Sequence, residues 1–84
     1  MKRKGDRKMI NVYDFCSACE DGTTVKVSIY DYDSNVFMSS IILMDAKTGV
    51  KALSAVCAFS FVESFYINNN VICCKVHVHG CDLS

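Results

Sequence analysis

Proline and tryptophan are missing altogether, and glycine occurs only four times. Without proline the chain has no enforced kinks and no lost backbone donors, so nothing interrupts regular helices and strands. So few glycines, in no G-x-G-x-x-G or G-x-x-x-x-G-K order, exclude a loop that cradles phosphate. Arginine stops at Arg7, and the rest of the chain lacks the side chain best suited to bidentate contact with phosphate or guanine. That argues against a face that reads nucleic-acid sequence. Long apolar runs are also absent: no uncharged stretch exceeds eleven residues, short of the roughly 18 that a membrane span needs. A secretory leader needs an apolar run directly behind its basic start, and Asn11, Asp14 and Glu20 interrupt that region. The expectation is a cytoplasmic protein that makes no membrane contact.

What is present suffices for one small core. At 84 residues there is room for a single domain, and a hydrophobic content of 51% separates the chain from disordered polar sequences. The formal net charge of zero hides a segregation, because Lys2, Arg3, Lys4, Arg7 and Lys8 all fall in the first eight positions. Residues 1–9 therefore read as a flexible basic arm that aids solubility and touches phosphate weakly. Residues 10–84 read as the folded domain, where four lysines meet eight carboxylates from Asp14 to Asp82, a balance of −4.

Periodicity divides that domain into elements. Asn11 is a helix cap with Asp14 three positions on, and Val12, Phe15, Cys16 and Cys19 form one apolar stripe, so a first helix is expected over residues 12–20, stopped by Asp21-Gly22. From Thr23 to Asp31 the period becomes two, with Val25, Val27 and Ile29 on one face and Lys26, Ser28 and Tyr30 on the other. The polar cluster Asp31-Tyr32-Asp33-Ser34-Asn35 is a turn, and a second strand over Val36–Met44 pairs back as a hairpin. A short second helix is expected within Asp45–Cys57, where Val50, Leu53 and Cys57 share a stripe. Strands over Phe59–Ile67 and Val71–His79, joined by three asparagines, form a second hairpin. The fold class is α+β in the order α-β-β-α-β-β, with a four-stranded, mainly antiparallel sheet and the first helix packed on one face.

Six cysteines and two histidines invite a metal reading. Cys16 and Cys19 have zinc half-site spacing, but they fall on the apolar stripe of a helix, where cysteine acts as a small hydrophobe. In the last strand Cys73, His77 and His79 share a face with Lys75, and a lysine there disfavours a cation. The expectation is no cofactor, with zinc on Cys73, His77 and His79 as the alternative, serving a nucleic-acid module that uses the basic arm. No Cys-His spacing identifies a nucleophile and base, and Asp31 and Asp33 are explained as turn residues, so the chain is expected not to be an enzyme.

Tyr30, Tyr32, Phe37, Phe59 and Phe61 exceed what one small core holds, so an exposed aromatic patch follows unless the second helix covers it. Asp14, Glu20, Asp21, Asp31 and Asp33 could line a negative edge beside it. Tyr30, Asp31, Tyr32, Asp33 and Phe37 are thus the expected partner-binding residues, for a larger protein or a second copy of the chain. Val-Tyr-Asp-Phe at 12–15, Asp-Gly-Thr-Thr-Val at 21–25, Ile-Tyr-Asp-Tyr-Asp-Ser at 29–34 and Val36-Phe37 resemble a group of short uncharacterised proteins from Gram-positive bacteria and their phages. The segment from Val62 to Ile72 resembles the closing hairpin of that group; together the two regions cover about half the chain. The resemblance implies no catalytic residue. It implies a phage or mobile-element setting, where small proteins block host enzymes or defence systems such as CRISPR nucleases.

Overall fold

The computed structural model describes residues 9–79, so the basic arm apart from Met9, and Cys81 and Asp82, lie outside the described residues. Asn11 begins the first helix as its chemistry demands: its side-chain oxygen accepts from the Asp14 N–H at 2.8 Å. Helix α1, Val12–Ser17, ends earlier than its apolar stripe suggests. Residues 18–22 turn instead, and Gly22 stands at φ +84°, a conformation that residues with a Cβ rarely adopt. Strand β1, Thr24–Asp31, and strand β2, Phe37–Leu43, form the first hairpin, with Asn35 at φ 61° in its turn.

Where one short helix is expected between the hairpins, three short pieces follow one another: α2 (Ala46–Gly49), a 3-10 turn (Val50–Ala52) and α3 (Ala55–Ala58). Ser54 restarts the helix by accepting from the Cys57 N–H at 3.4 Å, which divides the stripe that Val50, Leu53 and Cys57 suggested. The strand expected to begin at Phe59 begins only at Ser64. Residues 55–58 are helical, Phe61 bridges to Asn11, and Val62 donates to the Ile10 carbonyl at 2.9 Å, so this stretch pairs with the entry to α1 and not with the sheet. Strands β3 (Ser64–Asn68) and β4 (Val71–Val78) complete the second hairpin around Asn69 and Asn70, both at positive φ.

The sheet is α+β in class and mixed in direction, in the order β2-β1-β4-β3. Both hairpins are antiparallel, and the join between them, β1 on β4, is parallel from Thr24↔Val71 to Asp31↔Val78. That join has a geometric consequence. If β1 and β4 run the same way, so do the outer strands β2 and β3, and residues 44–63 must cross the sheet to connect them. The crossing carries α2, the 3-10 turn and α3 over one face, where α1 joins them. Val25, Val27 and Ile29 of β1 and Cys74, Val76 and Val78 of β4 point to that side and bury against Val12, Cys16, Ala46, Val50 and Cys57. Among the described residues, no helix is long and apolar enough to cross a membrane.

Candidate functional site on the uncovered sheet face

A single covered face leaves the alternate residues of β1 and β4 on the other. Lys26, Ser28 and Tyr30 lie beside Cys73, Lys75 and His77, rung by rung, because the register pairs Lys26 with Cys73, Ser28 with Lys75 and Tyr30 with His77. On the flanks Phe37 pairs with Tyr30 and Tyr66 with Cys73. The second helix does not cover this face, since all the described helices contribute to the core on the opposite side.

The rings form a continuous strip. Phe37 meets Tyr30 edge to face at 5.6 Å, Tyr30 lies 5.7 Å from the His77 ring, Tyr32 meets His77 at 6.4 Å, and Tyr32 lies 4.7 Å from His79. The Lys75 ammonium sits 4.5 Å over the centre of Tyr30, so the electron-rich ring face is shared with a cation. Two loops hold His77 in place: its Nδ1 meets the Glu63 carboxylate, and its Nε2 lies 2.5 Å from the Asn35 side-chain oxygen. Tyr32 and Phe37 remain 62% and 53% exposed, which is large for rings packed edge to edge. A shallow depression of about 120 Å³ lies between Tyr30 and Tyr66, floored by Ser28, Ser64, Cys73 and Lys75. Clefts for small ligands run to roughly 300–1,000 Å³, so this surface suits contact with a macromolecule better than enclosure of a substrate.

Of the expected partner-binding residues, the structure brings Tyr30, Tyr32 and Phe37 together. Asp31 and Asp33 belong to the turn at the end of the strip. The Asp31 carboxylate accepts from the Ser34 N–H at 2.8 Å and from its hydroxyl at 2.7 Å, and Asp33 lies 3.8 Å from the His79 ring. Phe59 and Phe61 belong to the helical side, where Phe59 stacks on Tyr13 at 6.3 Å. His77, Lys75 and Tyr66 join the site although the sequence reading offered them no place in it. Alternation had put His77 and Lys75 on a common face, but only the parallel join sets that face beside Tyr30.

Sharing a face does not make Cys73, His77 and His79 a ligand set. Four residues of strand separate Cys73 from His77 by roughly 13 Å, far beyond the span of one zinc ion. His77 has oxygens against both nitrogens, and His79 packs on Tyr32. Among the described residues no three His, Cys, Asp or Glu side chains come together as metal ligands. The five described cysteines are free thiols. Burial, with Cys19 close by, pushes the Cys16 thiol up to about 11, and burial with Cys16, Cys19 and Cys73 near pushes Cys74 up to about 12. Burial also raises Cys19. Raised thiols stay protonated at neutral pH and are poor nucleophiles. The Cys73 thiol beside Tyr66 raises that phenol. No family profile matches the chain, and neither a curated protein nor a solved structure matches it.

Proposed function

We propose that the protein is a small binding module that occludes a surface of a larger protein through its uncovered sheet face. The observation that carries this reading is the strip from Phe37 through Tyr30, His77 and Tyr32 to His79, in which Phe37, Tyr32 and His79 are exposed and Tyr30 and His77 half-buried, on the side opposite the crossing helices. Aromatic rings held rigidly by a sheet lose little entropy on docking and bury much area, the character of residues that dominate protein interfaces. Charge favours a protein over a nucleic acid: residues 10–84 carry four lysines against eight carboxylates, a balance of −4, and phosphate binding needs the opposite sign. The resemblance to short proteins of Gram-positive bacteria and phages supports a cytoplasmic encounter in which the bound partner is a host enzyme or defence nuclease that the module blocks.

The double substitution Tyr30→Ala and Tyr32→Ala tests the reading. Affinity capture with the wild-type protein is expected to retain a host protein, and the double variant, folded by circular dichroism, is expected to bind it at least about thirtyfold more weakly, as loss of a central aromatic anchor implies. Equal retention by both proteins contradicts the proposal. A chelator arm separates it from the zinc-stabilised alternative: EDTA is expected to leave the melting temperature unchanged, and a large fall would favour zinc.

A further inference from the structure

Strand β3 lies at one edge of the sheet, and its five residues, Ser64-Phe65-Tyr66-Ile67-Asn68, are all exposed. An edge strand presents unpaired backbone N–H and C=O groups, which proteins ordinarily guard with lysine, proline or a bulge. Within Ser64–Asn68 β3 has none of these, for it carries no charge and no proline and keeps register with β4 without a shift from Ser64↔Lys75 to Asn68↔Val71; the one irregularity lies just ahead of it, where Glu63 donates to the Lys75 carbonyl at 2.9 Å. The opposite edge differs: the β1–β2 register shifts between Ile29 and Tyr30, an irregularity that bends β2 away from flat pairing.

The turn decides which backbone groups of β3 face outward. Asn69 and Asn70, at φ 52° and 65°, form a two-residue hairpin turn, so Asn68 and Val71 are the hydrogen-bonded pair that closes it. Alternation along an antiparallel ladder then directs the N–H and C=O groups of Ser64, Tyr66 and Asn68 to β4, and those of Phe65 and Ile67 outward.

We propose that two copies of the chain pair antiparallel through β3 about a twofold axis at Tyr66. In this register Phe65 lies opposite the partner's Ile67 and Ile67 opposite the partner's Phe65, each pair exchanging two N–H···O bonds. The strand suits its own copy, because its side chains read polar, apolar, aromatic, apolar, polar from either end. Phe65 and Ile67 meet on the helical side, where Phe65 already packs on Phe15 at 5.5 Å, and the two Tyr66 rings meet on the open face. The pairing covers side chains that are 57%, 64% and 66% exposed at Phe65, Tyr66 and Ile67. Glu63 falls opposite the partner's Asn69, so no like charges face each other. The same patch serves both copies, which closes the assembly at two. The joined sheets form one platform of eight strands, with Tyr30, Tyr32 and Phe37 of each copy uncovered; the pairing does not depend on the larger partner proposed above.

Sedimentation equilibrium across the micromolar range tests the pairing. The wild-type protein is expected to dimerise, and Tyr66→Lys, which sets two ammonium groups opposite each other, is expected to raise the dissociation constant roughly tenfold or more. Mixing Tyr66→Lys with Tyr66→Glu restores a dimer only if residue 66 faces itself across the axis. Ile67→Pro offers a second route, since it deletes an outward N–H and no bond to β4. Wild-type protein that stays monomeric, folded Tyr66→Lys that dimerises undiminished, or Lys and Glu variants that fail to pair would each overturn the proposal.

Discussion

Burial that holds the Cys16 and Cys74 thiols up to about 11 and about 12, against an ordinary 9.0, makes them part of the apolar core and ties its stability to alkaline pH. The folded chain keeps those protons where the unfolded chain has lost them. Stability is therefore complete below about pH 9 and falls as pH climbs from there towards the folded values, by about 1.4 kcal/mol per pH unit for each thiol. Denaturant unfolding at about pH 8 and about pH 10 is expected to show that loss, and Cys74→Ala to reduce it. An equal loss in the variant would show that other groups are responsible. At this scale much was legible in the sequence: Asn11 announced its cap, and spacing had already set Cys16 on the apolar stripe of the first helix. His77 was not legible, because its neighbours Glu63, Asn35 and Tyr30 come from three different segments of the chain.

Among elements, the strands were read more truly than the helices. Period two in β1 and β4 identifies the buried set from local sequence, since one face is covered and the other bare. The contrast between Ile29, 2% exposed, and Ile42, 57% exposed in the neighbouring strand, tests that assignment directly. Ile29→Ala is expected to cost about 3 kcal/mol of unfolding free energy and Ile42→Ala less than about 1 kcal/mol. Similar losses from both would mean that the face of Ile42 is covered. The helical stretch was misread because apolar spacing cannot reveal where Ser54 restarts the helix. The late start of β3 was hidden for a related reason, as Phe59, Phe61 and Val62 have strand character but find partners in α1 and at Ile10.

For the whole molecule, the decisive feature is the parallel contact of β1 with β4. Side-chain periodicity says which face of a strand is buried and nothing about which strand lies next to it, so two hairpins side by side were legible and the way they join was not. Once joined in parallel, they force residues 44–63 across one face, leave the other without a helix among the described residues, and place Tyr30 beside His77. The proposed binding site rests on that arrangement. It is tested most directly by proton NMR of the folded protein with a soluble paramagnetic relaxation agent. Cross-peaks between the Tyr30 and His77 rings, with Tyr32, Phe37 and Tyr66 broadened by the agent and Val25, Val27 and Val76 protected, are the predicted result. Absence of the Tyr30–His77 cross-peaks, or protection of Phe37 and Tyr32 equal to that of the core valines, would contradict it.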